Sequence, residues 1–209
     1  KPEELSKVDY KPTKKTWMDP DVQIRKGRYN YSSNPTSVEY LGLPFARKFD
    51  PTAEDWELPE NWKEIIHKGL SDLLKKYRSL QVFMDVCVRC GACADKCHYF
   101  LGSGDPKNMP VLRAELLRSV YRKDFTTAGK LLGGLAGARE LTPEIIKEWF
   151  YYFYQCSECR RCSVFCPFGI DTAEITMMGR ELLHLLGIGI DWISTPAANC
   201  FRTGNHLGI

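Results

Sequence analysis

The sequence lacks a long apolar segment and a strong charge of either sign. No apolar run approaches the roughly 20 residues that a membrane-spanning helix needs; the best stretch, residues 181–193, contains Glu181, His184 and Asp191. In 209 residues, 29 Lys and Arg face 26 Asp and Glu, a net charge of +3. This balance does not favour binding to nucleic acid or to an anionic membrane surface. We expect no direct membrane span, so any link to a membrane passes through a partner.

The sequence also lacks a secretory signal, and it has no cysteine before Cys87. Nine cysteines in a chain without such a signal indicate a reducing compartment, the cytoplasm, and argue against disulfides. The ninth, Cys200, stands apart from the others. It could ligate a further cluster or act as a redox thiol, but a lone cysteine is more often a small buried apolar residue.

Eight cysteines form two runs of identical spacing, C-x2-C-x2-C-x3-C. This is the spacing of bacterial ferredoxins with two [4Fe-4S] clusters, in which the fourth cysteine of each run ligates the other cluster. Zinc fits poorly, because it usually takes four tetrahedral ligands from two separated pairs. The predicted ligand sets are Cys87, Cys90, Cys93 and Cys166 for the first cluster, and Cys156, Cys159, Cys162 and Cys97 for the second.

Residues within the first run have further predicted roles. Gly91 suits a tight bend that points amide groups at cluster sulfur. Arg89 and Lys96 could add a positive field that favours the reduced cluster, or they could be solvated and screened. His98 could replace a ligand or couple a proton to a cluster, but occupying the turn after Cys97 is the simpler interpretation.

Helical spacing of apolar residues predicts a mainly α fold. A lead-in helix is expected over residues 60–80, and the 58 residues between Cys97 and Cys156 are expected to hold helices that start near Pro110 and at Pro143. Gly129, Gly133, Gly134 and Gly137 do not make a phosphate loop, because no Ser or Thr follows Lys130. The predicted apolar stripes are Trp62, Ile65, Ile66, Leu70, Leu73 and Tyr77; Leu112, Leu116, Val120 and Tyr121; Ile145, Ile146, Trp149, Phe150 and Phe153; and Ile175, Met178, Leu182 and Leu186.

Residues 1–59 differ from the rest of the chain. They hold seven of the 12 prolines and show no regular period, yet they contain eight aromatic residues. Disordered segments are usually poor in aromatics, and long structureless stretches are uncommon inside compact domains. We predict a long extended arm that wraps over a partner subunit; the alternative is an arm that lies across its own domain.

Three segments carry a resemblance to known proteins: MDVCVRCGAC (residues 84–93), YQCSECRRC (154–162) and NCFRTGN (199–205). Two such runs separated by a helical insert resemble the alpha-helical ferredoxin domains. The segments resemble more narrowly the heterodisulfide reductase D-like iron–sulfur subunits, in particular the K subunit of the sulfite-reductase-associated membrane redox complex.

That resemblance implies a peripheral subunit on the cytoplasmic face of the membrane. Its implied partners are a membrane cytochrome b subunit, other subunits of a redox complex and a small thiol carrier protein. Electrons from menaquinol would pass through two [4Fe-4S] clusters to a further, noncubane cluster that reduces a disulfide or trisulfide in dissimilatory sulfur metabolism.

The sequence departs from that family in lacking the cysteine-rich CCG repeats of the thiol-reducing site. No catalytic residue is therefore predicted, and these residues are expected to carry the electron relay alone. Neither end resembles a natural terminus. We expect an arm over 1–59, the cluster domain over 60–186, and over 187–209 the start of a CCG-type domain that continues beyond the chain.

Two other functions are compatible with the cysteine runs. One is the iron–sulfur subunit of a flavin-dependent dehydrogenase such as anaerobic glycerol-3-phosphate dehydrogenase. A succinate dehydrogenase subunit is disfavoured, because residues 1–86 lack the cysteines of a plant-type ferredoxin domain. The other is a protein that uses clusters or zinc only as structural staples.

Overall fold

A computed structural model describes residues 58–190, 196–197, 199–200 and 202–207 of the chain. Apart from its last two residues, the predicted arm at 1–59 lies outside the described residues. Across the described part the protein is helical and has no strand, which confirms the mainly α prediction. The helices are α1 Trp62–Lys76, α2 Arg78–Val86, α3 His98–Ser103, α4 Pro110–Phe125, α5 Thr127–Leu132, α6 Pro143–Phe153, α7 Arg161–Val164 and α8 Thr172–Leu185.

Short 3₁₀ turns, Ala94–Lys96, Pro106–Asn108 and Gly133–Ala136, complete the described secondary structure. The predicted helix over 60–80 is instead two helices, because Tyr77 adopts an extended conformation between them. None of the described helices is long and apolar enough to cross a membrane.

Helices α4 and α8 form the centre of the fold. Helix α8 packs against α1, α2, α4 and α6, and α4 packs against α5, α6 and α8. Trp149 on α6 is fully buried, and its indole N–H donates to the carbonyl of Leu116 on α4 at 3.1 Å. These contacts bury apolar surface that stabilises the fold, and they also fix the helix ends from which the cysteine loops start.

The apolar stripes predicted for α1, α6 and α8 lie on the core side of those helices. The single stripe predicted for α4 is incomplete, because Leu112 is only half-buried while Arg113, Arg118 and Ser119 are buried. Helix α4 is enclosed on nearly all sides, so a one-sided apolar pattern does not describe it. Its buried polar residues bear directly on the candidate site.

Glycine is required where helices approach closely. A Cβ added to Gly179 on α8 would lie 2.3 Å from the Phe153 ring at the end of α6. A Cβ added to Gly129 on α5 would lie 1.9 Å from the carbonyl oxygen of Arg122. These positions let α8 lie against α6 and α5 fold back on α4.

A candidate site for two iron–sulfur clusters

Both cysteine runs begin where a core helix ends. Cys87 follows the last residue of α2 and is extended. The amide of Cys156 donates to the carbonyl of Phe153, the last residue of α6, at 3.2 Å. The helical core therefore holds the first cysteine of each run in place, and the rest of each run extends from it as a loop.

The two loops have the same backbone geometry. Arg89 (φ 56°) and Glu158 (φ 55°) stand immediately before the second cysteine of their runs, and both are left-handed. Immediately after the second cysteine, Gly91 (φ 78°) and Arg160 (φ 58°) are left-handed as well. Gly91 occupies a bend as predicted, whereas Arg160 adopts the same geometry without being glycine.

The second predicted ligand set meets at one cavity. Cys97 from the first run lines it together with Cys156, Cys159 and Cys162 from the second. Four cysteine thiols around one cavity are the ligand set that a [4Fe-4S] cluster takes.

Two cysteines of the first predicted ligand set, Cys87 and Cys93, lie near each other, and Cys93 also lies near the second set. The thiols of Cys87 and Cys162 are both close enough to Cys93 to influence its ionisation electrostatically. Cys87 and Cys166 are half-buried and pack against the same hydrophobic core. Cys93 of the first set therefore lies near Cys162 of the second, and none of the cysteines forms a disulfide.

Burial and hydrogen bonds act in opposite directions on the third cysteine of each run. Burial raises the pKa of the Cys93 thiol to about 11, although the backbone amide of Val111 hydrogen-bonds to it and opposes the rise. Burial also raises the pKa of Cys162, against a hydrogen bond from Thr172 Oγ1 to its Sγ at 2.7 Å. Iron would displace these thiol protons, and the same donors would then stabilise the bound thiolates.

Side-chain contacts join the two loops. Lys96 of the first run lies with its Nζ 4.9 Å from the centre of the Phe165 ring. The imidazole Nε2 of His98 lies 3.3 Å from Ser157 Oγ, and His98 lines the second cavity beside the four cysteines. Arg89 makes an ion pair with Glu115 at 2.8 Å, so its charge is not simply solvated.

Two arginines that the cysteine pattern does not predict lie beside the second loop. Arg113 is buried and lines the second cavity. Arg180 donates to the carbonyls of Phe153 and Cys156 at the start of the second run. Helix α4 carries five other charged residues, so no signal in the sequence singles out Arg113.

Cys200 is exposed and forms no disulfide. The expectation of a small buried apolar residue is therefore wrong for this cysteine. It lies far along the chain from both runs, in the segment after residue 190, where only separate stretches are described.

The fold and the paired loops define a helical ferredoxin domain for two clusters. A family model described as "4Fe-4S dicluster domain" matches residues 83–170, which contain both cysteine runs. The thiols of these runs are of the kind and number that two [4Fe-4S] clusters require. Iron–sulfur clusters are thus the cofactors of this domain.

The relatives make the assignment more specific. The chain is 52% identical, over its whole length, to an "Hdr-like menaquinol oxidoreductase iron-sulfur subunit" of Archaeoglobus profundus and covers 38% of that protein. It is 50% identical to "Hdr-like menaquinol oxidoreductase iron-sulfur subunit 2" of Archaeoglobus fulgidus, with the same coverage. The chain is therefore a homologue of the Hdr-like menaquinol oxidoreductase iron–sulfur subunits, and it spans about 38% of their length.

A more distant relative belongs to the heterodisulfide reductases. Over 106 residues, 51% of this chain and 25% of the relative, the chain is 32% identical to the D subunit of the dihydromethanophenazine:CoB--CoM heterodisulfide reductase of Methanosarcina barkeri. This match supports the D-like resemblance of the cysteine segments. No solved structure matches the chain.

Proposed function

We propose that this chain is the electron relay of an iron–sulfur subunit in a membrane-associated quinol–thiol oxidoreductase. The observation that carries the proposal is the cavity where Cys97 of the first run joins Cys156, Cys159 and Cys162 of the second. This interlocking is what the exchange of fourth cysteines requires. It brings two redox sites within one small domain, as a wire for single electrons needs.

The residues of the site have two proposed roles: some would hold the clusters, and others would control the surroundings of the clusters. When bound, [4Fe-4S] clusters supply one-electron carriers whose potentials depend on hydrogen bonds, charge and solvent exposure. Cys87, Cys90, Cys93 and Cys166 would hold one cluster, and Cys156, Cys159, Cys162 and Cys97 the other. The Val111 amide and the Thr172 hydroxyl would donate to ligand sulfur, and the α6 aromatics would exclude water from the second site.

The names of the relatives support menaquinol as the electron source, and the other partners proposed here come from the resemblance of the cysteine segments. We propose that electrons reach the chain from menaquinol through a membrane cytochrome b, and that residues 1–59 wrap over a partner subunit. The final acceptor would be a disulfide or trisulfide on a small carrier protein in sulfur metabolism, with sulfite reduction as the wider context. In this proposal the domain would lie at the cytoplasmic face of the membrane, held there by other subunits.

The thiol-reducing step would take place outside this chain. The 209 residues contain no CCG repeat, and the curated relatives are much longer than the chain. A noncubane [4Fe-4S] cluster in the remainder of the full-length subunit would receive the electrons, with residues 187–209 leading into that region.

The test is to purify the full-length subunit with its native partners under anaerobic conditions. Iron and acid-labile sulfide are measured first, and the two cubane clusters of this domain should contribute about 8 irons per chain. A menaquinol analogue is then mixed with the oxidised complex, and cluster reduction is followed by EPR. We expect reduction by the quinol and a co-purifying cytochrome b.

A co-purifying flavoprotein, with reduction by its substrate rather than by quinol, would replace the proposal with the dehydrogenase function. Stoichiometric zinc with little iron would instead indicate that the metal has only a structural role. Clusters whose oxidation state does not change with any reductant would indicate the same. A matched Cys97→Ser variant serves as control, since loss of the second cluster should interrupt the relay without removing the partners.

A further inference from the structure

Arg113 is a buried cation at the second cavity. It lies in the first turn of α4, only 2% of its surface is exposed, and it lines the cavity together with the four cysteines of the second predicted set. It is close enough to Cys156 to oppose, electrostatically, the effect of burial on the pKa of that thiol. A guanidinium stays protonated at any pH the protein survives, so its charge is permanent.

The direct hydrogen-bond partners of Arg113 are neutral. Its Nη2 donates to the backbone oxygen of Asn108 at 3.0 Å and to the Asn108 side-chain oxygen at 3.1 Å. The Asn108 amide is itself held by Gln155 at 2.8 Å. Within the described residues, Arg113 Nε has no hydrogen-bond acceptor and no carboxylate lies within ion-pair distance of the guanidinium. The interaction between Glu158 and Arg113 is a longer-range electrostatic one: burial raises the pKa of Glu158, and Arg113 opposes that rise.

The other charges around the cavity are paired with each other. Glu158, from the second loop, pairs with Arg180 of α8 at 3.4 Å. Lys96 from the first loop pairs with Asp95 at 2.7 Å. Arg160, also on the cavity wall, lies 3.5 Å from Asp171.

These pairs leave Arg113 as the cation at the cavity that lacks a direct counter-charge among the described residues. The first loop differs, because its own arginine, Arg89, is neutralised by Glu115. Burying an unpaired cation costs several kcal/mol, roughly, unless an anion lies near it. Four cysteine thiolates and the cluster they hold form such an anion.

We propose that Arg113 raises the reduction potential of the second cluster above that of the first. The inference rests on the proposed relay function and on the crossed ligand sets. Reduction adds one electron to a cluster and changes no bond, so it makes the site more negative by one charge. A fixed cation on the cavity wall favours that change, while the first site has no equivalent unpaired charge among the described residues.

The direction of the potential difference has a consequence for the relay. An electron shared between the two sites would reside mainly on the second, next to α8 and the end of α6. The first site would be the weaker acceptor, and Arg113 would decide which cluster remains reduced at equilibrium.

The experiment is an EPR-monitored titration of the full-length subunit in its complex, with dithionite as the reductant. The second cluster is identified as the signal lost in Cys97→Ser. In Arg113→Gln we expect its reduction equilibrium to become about tenfold less favourable, ~59 mV for one electron. Arg113→Lys should retain most of the wild-type value, because it keeps the charge.

Asn108→Asp keeps the arginine and the shape but places a carboxylate on it. Like Arg113→Gln, it should lower the reduction potential of the second cluster. The inference can therefore still be tested if the Arg113→Gln variant fails to assemble. Arg139→Gln, which removes an exposed arginine paired with Glu148, should change neither potential.

Unchanged potentials in Arg113→Gln or Asn108→Asp, with both clusters present, would overturn the inference. Quinol reduction of the wild-type complex would then still support the proposed function. Conversely, a shift of both clusters by the same amount would show a general charge effect and would also contradict a specific role for Arg113 at the second site.

Discussion

The two cysteine loops are alike in backbone but differ in how the helices hold them. Both are left-handed at the positions before and after their second cysteine. The third cysteine of each also accepts a hydrogen bond from the first turn of a long helix, from Val111 of α4 in one case and from Thr172 of α8 in the other. Identical ligand spacing thus produces closely similar local geometry in two different surroundings.

The difference lies in the attachment of each loop to the core. In the first loop, Arg89 reaches Glu115 on α4. The second loop has two such ion pairs, Glu158 with Arg180 and Arg160 with Asp171. In addition, Arg180 on α8 donates to backbone carbonyls at the start of the second loop, with an Nη2–O distance of 2.7 Å to Phe153. The comparison indicates that the cysteines determine the loop and that the neighbouring helices determine its environment.

The largest expected effect comes from replacing the fourth cysteine of either run, which is predicted to ligate the cluster of the other run. Cys97→Ser should abolish the second cluster although Cys97 belongs to the first run, and Cys166→Ser should abolish the first. Each variant should lose about 4 of about 8 cubane irons, because one cluster is lost in each. Iron analysis with EPR of the purified full-length subunits provides the measurement.

The two variants are controls for each other. The cluster that survives in Cys97→Ser should be the one lost in Cys166→Ser. If each serine variant instead removed the cluster of its own run, the ligand sets would be local and the crossed assignment would be wrong.

The next largest effect is expected from the carboxylate that holds the first loop. Glu115 pairs with Arg89, Arg118 and Arg122, and Arg118 is only 1% exposed. Glu115→Gln would leave a buried arginine without its counter-charge, a loss of about 3 kcal/mol or more. We expect a lower denaturation midpoint and early loss of the first cluster, with Glu64→Gln on the exposed face of α1 as the matched control.

The same variant makes a prediction about pH. Burial raises the pKa of Glu115, but hydrogen bonds from Arg122 and Arg118 outweigh it and hold the pKa below the ordinary value. The carboxylate therefore stabilises the fold above its unfolded pKa, and that stabilisation is lost only as the pH falls through the lowered folded pKa. Between about pH 6 and 9, well above both values, the difference from wild type should be constant, and a change within that range would contradict this account.

The cysteine spacing predicts the chemistry of the site well, but it does not predict which residues surround the site. Two runs of the same spacing are enough to predict two clusters, and prolines at the starts of α4 and α6 predict where those helices begin. The break at Tyr77 and the enclosure of α4 could not be predicted, because they depend on packing between distant parts of the chain. Arg113 and Arg180 were missed for the same reason, since only the fold brings them to the second loop.

A smaller effect is expected from removing each loop's arginine contact. Arg180→Met would lose charged hydrogen bonds to the carbonyls of Phe153 and Cys156 and should cost about 2–3 kcal/mol. Arg89→Met removes an ion pair whose arginine is 48% exposed and should cost less than about 1 kcal/mol. Denaturation midpoints of both variants measure the difference, and equal losses would mean that the two loops are held alike.

A further effect of at most about 1 kcal/mol is expected at the position after the second cysteine, where the two loops share a backbone conformation but differ in residue type. Gly91 and Arg160 share a left-handed conformation that glycine adopts freely and other residues adopt at a cost. Gly91→Ala should therefore destabilise the protein by about 1 kcal/mol, even though a Cβ there meets no atom within 4 Å. Arg160→Gly should be neutral or slightly stabilising, because relief of backbone strain offsets the loss of an exposed ion pair with Asp171. A large loss of stability in Arg160→Gly would mean that this ion pair, rather than the cysteine spacing, holds the second loop in its bend.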